Sequence, residues 1–423
     1  MRTTQEKHHP FTLHTEDPKP SVMIFDMDVE GHHASYIRYV VDYWIQQNKD
    51  SDLLIIVTPK FIELHEGLVN FSVRESQGKV QFISISNEEI ENLEFNRRRS
   101  ILSRAFTEWK LFCTYAKSLN IKHGVLMYFD YFQIPLIFGQ RSPCSVSGIY
   151  FRPALHYDSL FPSKSTFKEK LKNFLKKNIL KLALKQSQFN ILFCLDQFSI
   201  DYIRRLNPKA HIQYLPDPIN LHQVDPQEVD RLKEKLKIED NRHVFLLFGS
   251  LDKRKGIYKV LEAIQQLDFQ TAQSICLLFV GRLSSSDREL FKNTVAMVSG
   301  SSNVQIIIRD EFIDDDEIQA YFEITDIVLI PYQRHVGMSG ILLHAATTRK
   351  TMIVSNYGLL GKLVEIYDLG INIDSDCSID LMKAMKSCLH KTEYREINAN
   401  LREQFIKEHS VEIFQHTLCQ YLG

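Results

Sequence analysis

The sequence predicts an α/β protein built from two similar halves, each with a parallel sheet covered by helices. Its 423 residues exceed one ordinary core, so two domains of about 200 residues each are expected. Short apolar runs alternate with helical patterns in both halves, which is typical of βαβ units. Pro216 and Pro218 lie between the halves, and proline ends regular structure and stiffens a connection.

The first half extends over residues 21–215, after a polar stretch, 1–20, that we expect to be a flexible lead. The apolar run SVMIFDMD is followed by EGHHASYIRYVVDYWIQQ, whose apolar spacing is helical. Further strand candidates follow in order: LLIIV, VQFISI, HGVLMYF, CSVSGIYF and FNILFCL. The segment HIQYLPDPINL closes this half.

The second half, residues 216–400, repeats this architecture without repeating the sequence. We expect residues 401–423 to form a helix that packs back toward the first domain. Ligands of this fold class bind in a crevice at the sheet ends, so the crevice between the two sheets is the expected site. The strand candidates are HVFLLFGSL, ICLLFVGRL, VQIIIRD, DIVLIPY and TMIVSN.

Composition limits the classes of function. The formal net charge of -1 offers no basic field for nucleic acid. None of the seven cysteines forms a CxxC pair, which argues against a structural zinc site or a disulfide framework. The N-terminus has no apolar signal region, and no segment approaches the about 20 apolar residues of a membrane span. We therefore expect a cytoplasmic protein.

A basic loop, Gly249 to Gly256, follows one predicted strand and opens a helix. Free N–H groups and the helix dipole favour anions there, and Ser250, Arg254 and Lys255 suit a diphosphate. A solvated basic turn is the alternative, since such loops often carry lysine for solubility.

A second loop, His335 to Ile341, follows the predicted strand DIVLIPY and precedes another helix. Gly337 and Gly340 permit close backbone approach to a ligand. Ser339 is also a plausible N-cap, a role that needs no ligand. The position at the carboxyl end of a strand favours function.

These loops, in this order and followed by TMIVSNYGLLGKLVEIYDLG, resemble the C-terminal domain of retaining glycosyltransferases related to glycogen synthase and sucrose-phosphate synthase (the family 4-like group). Lys255-Gly256 resembles the family's Lys-Gly, Asp326 to Pro331 its aspartate-led strand, and Ala345 the alanine of its Glu-x7-Glu-Ala motif. LPDPIN (215–220) resembles its domain-crossing segment. The resemblance implies the GT-B fold, with two Rossmann-like domains facing an interdomain cleft.

The sequence departs from this family at three positions. Ser250 stands where the family has arginine, so Arg254 or Lys253 could supply the charge. The two motif glutamates are replaced by Val336 and His344, of which only His344 can form a side-chain hydrogen bond. The expected donor-binding residues are Gly249, Ser250, Arg254, Lys255, Glu311, Ser339, Gly340, Ile341 and His344.

Two loops of the first half are candidates for the acceptor side. Gly31, His32 and His33 follow the first strand, where the family often has a glycine-rich loop; a polar helix cap is the alternative. Arg152 stands near the family's catalytic histidine position, with His156 four residues later. Arg152 is always charged and suits a leaving phosphate, whereas His32 or His156 could serve the acceptor hydroxyl.

Asp26-Met27-Asp28 invites rival interpretations. The motif could be the metal-binding DxD of single-Rossmann glycosyltransferases, although that motif usually lies mid-domain. It could also be the nucleophile of an aspartyl phosphatase, but Val29-Glu30 stand where that pattern has Gly-Thr. Capping at the end of a strand is the structural alternative.

A lysine-rich helix is predicted over residues 163–187. Such a helix can lie on anionic lipid, so peripheral contact with a membrane is one reading. We favour the other, in which the apolar side packs in the core and the lysines face water. Its apolar positions are Phe167, Leu171, Phe174, Leu175 and Leu182.

Together these patterns predict a hexosyltransferase that moves a hexose from a nucleoside diphosphate sugar to an unidentified glycan, lipid or small-molecule acceptor. The resemblance implies retention of the anomeric configuration. No metal and no cofactor beyond the donor substrate are expected, because cations and amides can stabilise the leaving diphosphate. A non-catalytic sugar-nucleotide or glycan-binding subunit is the alternative suggested by the missing glutamates.

Overall fold

The computed structural model describes residues 21–29, 31–155, 157, 167–219, 224–389 and 398–422. The chain divides into two compact units. The first comprises the described residues of Met1–Met127, Ile134–Ser147 and Cys419–Gly423; the second comprises those of Tyr128–Gln133 and Gly148–Leu418. Among the described residues, no helix has the length and hydropathy needed to cross a bilayer.

One sheet has seven strands in the order β3-β2-β1-β4-β5-β6-β7. β1 pairs in parallel with both β2 and β4, so the strand order reverses between β1 and β4. The strands are β1 Ser21–Phe25, β2 Asp52–Val57, β3 Val80–Ser84, β4 His123–Leu126, β5 Ser145–Tyr150, β6 Phe189–Cys194 and β7 His211–Tyr214.

The helices that accompany these strands begin with recognisable caps. Thr58 accepts the N–H of Phe61, and Ser86 forms a capping box with Glu89. Helix α1 buries its apolar face, with Trp44 donating to the carbonyl of Ser51 at 2.8 Å. These helices are α1 His33–Gln46, α2 Pro59–Leu64, α3 Glu66–Glu75, α4 Asn87–Arg99, α5 Ile101–Ser118, α6 Phe129–Phe138, α7 Phe167–Ala183 and α8 Ile200–Leu206.

The second sheet has six strands in the order β10-β9-β8-β11-β12-β13, and all of its strand pairs are parallel. The order reverses between β8 and β11. The strands are β8 His243–Phe248, β9 Ile275–Val280, β10 Gln305–Arg309, β11 Ile327–Ile330, β12 Thr351–Ser355 and β13 Gly370–Ile373.

Both faces of the six-stranded sheet are buried. Alternate residues of β8 enter two different hydrophobic clusters, Leu246 and Phe248 in one and Phe245 and Leu247 in the other. Near-continuous apolar strands are what a doubly covered parallel sheet requires. Its helices are α9 Pro226–Leu236, α10 Ile257–Ile264, α11 Phe269–Gln273, α12 Arg288–Ser301, α13 Asp315–Glu323, α14 Gly340–Thr347, α15 Gly358–Tyr367, α16 Ser378–Leu389, α17 Ala399–Glu408 and α18 Val411–Cys419.

The prediction of two α/β halves with parallel sheets is confirmed. The boundary between residues 215 and 216, and the packing of 401–423 toward the first domain, stay predictions. The predicted lead, residues 1–20, lies outside the described residues.

The packing expected for the lysine-rich helix is wrong. Four of its predicted core positions are exposed on α7: Leu171, Phe174, Leu175 and Leu182. The buried positions are instead in and just beyond its last turn, at Leu180, Ala183 and Leu184. An amphipathic pattern identifies an apolar stripe, but neighbouring elements decide whether that stripe is covered.

Candidate functional site

The two predicted donor-binding loops follow the strands that flank the reversal of the six-stranded sheet. Residues 249–256 follow β8, and residues 331–341 follow β11, and these two strands pair in parallel. The carboxyl ends of parallel strands meet at one edge, and a reversal of strand order leaves a crevice there. Both loops predicted from the sequence therefore lie at the edge of the sheet where proteins of this fold class bind ligands.

At Gly256 the first loop packs directly against the start of the second. Its backbone has φ +77°, and an added Cβ would lie 2.3 Å from the carbonyl oxygen of Pro331. Both the left-handed backbone and this approach require glycine. One turn earlier, the Asp252 carboxylate accepts the N–H of Lys255 at 3.1 Å and begins a short 3-10 helix, Lys253–Lys255. These constraints fix the direction of the Lys255 side chain.

Lys255 is buried, with 8% of its surface exposed. Its Nζ donates to the phenolic oxygen of Tyr332 at 2.6 Å and lies 3.9 Å from the centre of that ring. The Tyr332 oxygen lies 3.3 Å from the hydroxyl of Ser339. A buried ammonium thus has a polar partner and an aromatic one, which lowers the cost of removing it from water.

Ser339 occupies the N-cap position of α14, but its side chain makes no capping hydrogen bond. The hydroxyl lies beside Tyr332 instead. The purely structural interpretation, a capping serine, is therefore not what the geometry shows. The first amides of α14 lack that side-chain acceptor, and such amides suit an anion.

His335 lies beside this group, with its ring at 5.5 Å from the ring of Tyr332. Its Nε2 lies 3.2 Å from the carbonyl oxygen of Met338, to which it donates. Burial lowers the pKa of His335 to about 4. The positive charges of Arg254, Lys255 and Arg152 act in the same direction. His335 is therefore neutral near pH 7 and surrounded by cations.

Arg152 reaches this neighbourhood from the loop after β5. A Cβ added at Gly337 would lie 3.8 Å from Cγ of Arg152 and 3.7 Å from the carbonyl oxygen of Phe151. The carboxylate of Asp130 holds the loop by accepting the N–H of Phe151 at 2.9 Å and of Arg152 at 3.1 Å. The structure thus brings Arg152 to the loop of His335, Gly337 and Ser339.

Sequence reasoning missed Tyr332, His335 and Asp130 as contributors. Burial raises the pKa of Asp130 to about 6, although the amides and Arg152 oppose that effect. The sequence feature that could have identified Asp130 is its position as the single carboxylate in the aromatic segment MYFDYF. A buried carboxylate requires nearby donors, and here backbone amides supply them.

The other predicted donor residues have varied surroundings. Ser250 and Gly340 are exposed, and a Cβ at Gly340 would meet nothing within 4 Å. Glu311 forms an ion pair with Arg309 after β10. His344 is half-buried and stacks on Phe322 at 5.2 Å.

The Gly31–His33 loop follows β1, next to the reversal of the seven-stranded sheet. Gly31 has φ +76°, and α1 begins at His33. The Nδ1 of the buried His33 lies 2.6 Å from the Asp26 carboxylate. His32 stacks on His33 at 4.7 Å, and its ring lies tilted at 4.9 Å from the ring of Tyr36.

The carboxylate of Asp26 sets the protonation of His33. Burial lowers the pKa of His33, but the hydrogen bond and charge of Asp26 outweigh burial and raise it. Asp26 is 4% exposed and also accepts the N–H of Asp28. A nucleophile must reach its substrate, so this environment favours a structural role for Asp26 over the phosphatase interpretation.

Asp28 is held by a separate ion pair. Its carboxylate accepts from Arg104 at 2.7 Å, and Arg104 also binds Glu108. Burial raises the pKa of Glu108 to about 7, against the opposing charge of Arg104. The predicted acceptor residue His156 lies outside the described residues.

A family model matches part of the second half of the chain. Residues 228–408 match the model of the family Glycosyl transferases group 1. The matched residues include the whole six-stranded sheet. The matched residues also contain both loops of the candidate site, and the predicted enzyme class, a glycosyltransferase, is confirmed. No curated protein matches the chain significantly in sequence.

Solved structures show the same fold over nearly the whole chain. HepE of Anabaena, in complex with UDP and glucose, is 13% identical, covers 95% of this chain and 99% of its own, and has a TM-score of 0.64. Sucrose-phosphate synthase from Thermosynechococcus elongatus is 15% identical, with coverages of 95% and 98% and a TM-score of 0.67. A UDP-forming trehalose-phosphate synthase from Burkholderia xenovorans is 10% identical, with 96% and 98% covered and a TM-score of 0.65. The predicted GT-B fold, with two Rossmann-like domains, is confirmed.

Proposed function

We propose that the protein transfers a hexosyl group from a nucleoside diphosphate sugar to an acceptor hydroxyl. The observation that carries this proposal is the group formed by Lys255, Tyr332 and Ser339 at the β8/β11 reversal. Arg254 and Arg152 place further positive charge near it. Anions bind where cations and free amides converge.

The leaving diphosphate gains negative charge as the bond to the sugar breaks. Lys255 is fixed before the substrate arrives, because Asp252 and Tyr332 hold its backbone and its ammonium. A preorganised charge needs no rearrangement at the moment of reaction. We assign Lys255, Arg254 and the first amides of α14 to binding of the diphosphate. We assign Arg152 to stabilising the negative charge that develops on this leaving group.

We assign His32 to the acceptor hydroxyl, and we assign His33 and Asp26 to holding His32 in position. The imidazole of His32 lies parallel to His33, which Asp26 holds by a short hydrogen bond. A histidine can accept a proton or orient a hydroxyl near neutral pH. His156 is the second residue assigned to this role.

We further propose retention of the anomeric configuration, without a metal or a separate cofactor. The resemblance of the second half to retaining enzymes supports the stereochemistry. The cations at the diphosphate group support metal independence, because they can neutralise the same charge that a divalent ion would. Uracil is the first base to test in the donor, since HepE was solved with UDP.

A donor panel tests the proposal. In a thermal-shift assay, one of UDP-, GDP- and ADP-glucose should raise the unfolding temperature. That donor should then be consumed with release of its nucleoside diphosphate. NMR of the first product should show an α-anomer from an α-donor, and activity should survive EDTA. Absence of stabilisation by every nucleotide would contradict the diphosphate assignment; an inverted anomer would contradict retention alone.

A further inference from the structure

Helix α7, Phe167–Ala183, leaves its apolar stripe uncovered. Leu171, Phe174, Leu175 and Leu182 are 50%, 62%, 52% and 45% exposed. Soluble proteins show single exposed apolar residues often, but a contiguous apolar stripe marks an interaction surface.

The exposed and buried positions lie on opposite sides of the helix. Successive residues turn by about 100°, so positions 171, 174, 175 and 182 fall within a sector of roughly 100°. The buried residues Leu180, Ala183 and Leu184 fall on the opposite side. The helix is thus attached to its domain through its C-terminal end, with the apolar stripe directed outward.

Lysines border the stripe on both sides. The same angular positions place Lys170, Lys177 and Lys181 along one border. Lys168 and Lys172 lie along the other. All five are exposed, whereas the whole chain has a net charge of only -1.

We propose that this surface, the exposed apolar stripe of α7 with its two lysine borders, docks on an anionic lipid bilayer. An apolar stripe between rows of lysine is the arrangement of interfacial helices, in which apolar side chains enter the acyl boundary and ammonium groups meet the headgroups. Lysine stems can reach the phosphates while the stripe is inserted.

A second copy of the chain is a poorer occupant of this surface. A symmetric contact through the stripe would bring the lysine borders of both copies together. Like charges facing each other oppose association, whereas an anionic surface neutralises both borders at once. The charge on the surface therefore selects lipid over self-association.

Vesicle binding tests the proposal with the full chain. Co-sedimentation should be weak with phosphatidylcholine vesicles, strong with equimolar phosphatidylcholine and phosphatidylglycerol, and reduced by high salt. Leu171→Ser/Phe174→Ser/Leu175→Ser should lower binding to the anionic vesicles at least tenfold. Lys170→Gln/Lys177→Gln/Lys181→Gln should do the same and should remove the salt dependence.

Matched controls change equally exposed residues elsewhere. Phe269, Leu290 and Met297 are 61%, 60% and 61% exposed, so their triple substitution by serine should leave vesicle binding unchanged. Glutamine at the exposed Lys110, Lys117 and Lys292 is the matched charge control. Circular dichroism confirms that each variant is folded.

Two results would overturn the proposal. In the first, both α7 triple variants bind anionic vesicles as strongly as the unchanged protein does. The other is a change of oligomeric state in the apolar variant, measured by light scattering, with unchanged vesicle binding; that result would assign the stripe to self-association.

Discussion

The ammonium of Lys255 is bound by the phenolic oxygen of Tyr332, 2.6 Å away, in a buried position. An ammonium has three donors, and this hydrogen bond uses one. A hydroxyl group orients the ammonium by a hydrogen bond, whereas a carboxylate would also cancel its charge. The pair therefore leaves Lys255 able to attract a diphosphate.

Lys255→Met should weaken binding of the nucleoside diphosphate by about 1.5–3 kcal/mol, because a charge-assisted hydrogen bond is lost while the side-chain volume is kept. Calorimetric titration measures this change. Lys253→Met is the control, because Lys253 lies in the same 3-10 helix but is exposed. Equal affinity of the two variants would contradict the assignment of Lys255.

Tyr332→Phe should retain the ring under Lys255 and remove its hydrogen bond. We expect a loss of about 1 kcal/mol in the free energy of unfolding, the usual scale for a buried hydrogen bond. Affinity for the nucleotide should fall by less than in Lys255→Met, because the charge remains. Urea unfolding and calorimetry measure both, and a variant with unchanged affinity and unchanged stability would show that the phenol does not position Lys255.

Donor binding should raise the pKa of His335. Burial lowers that pKa from 6.5 to about 4 in the free protein, and nearby cations contribute. The unfolded chain therefore binds more protons below pH 6.5, so the contribution of His335 to stability is complete above that pH and is lost as the pH falls toward 4. A bound diphosphate neutralises the cations, so NMR titration with UDP-glucose should show the pKa rising.

His409 is the internal control for this titration. Burial lowers its pKa to about 4 as well, and its Nδ1 donates to the carbonyl of Phe405. A donor bound at the Lys255 group should not shift His409. Parallel shifts of both histidines would indicate a change in the whole protein instead of a local anion.

Arg152→Gln should reduce kcat by about 10²-fold with a small change in nucleotide affinity, if its charge acts in the transition state. Steady-state kinetics with the accepted donor measure this. The exposed Arg205 offers a control, Arg205→Gln, that should turn over normally. A variant at Arg152 that loses affinity and retains kcat would place the residue in ground-state binding.

His32→Ala should lower turnover by about 10²-fold, because a group that handles the acceptor proton is removed. Nucleotide affinity should stay near that of the unchanged protein, since the donor is assigned to the second half. The pH dependence of kcat should flatten in the same variant. Normal turnover would exclude His32 and leave His156 as the acceptor-side residue.

The elements and the two loops of the candidate site could be predicted from the sequence alone. Apolar runs of strand length marked the parallel strands, and the loops that follow two of them carry Lys255 and Ser339. Parallel strands bring their carboxyl ends to one edge, so the sequence pattern is enough to assign residues far apart in the chain to one candidate site.

Tertiary structure decided which side chains meet. Tyr332 closes the apolar run DIVLIPY, two residues after β11, and resembles a core residue in the sequence, yet its hydroxyl binds Lys255. Asp130 is bound by two amides of the loop after β5, and Asp26 is bound by His33 at the start of α1. The outward direction of the α7 stripe followed from what its neighbours leave uncovered. Periodicity is a local property of the chain, whereas burial and partnership depend on which elements the fold places side by side.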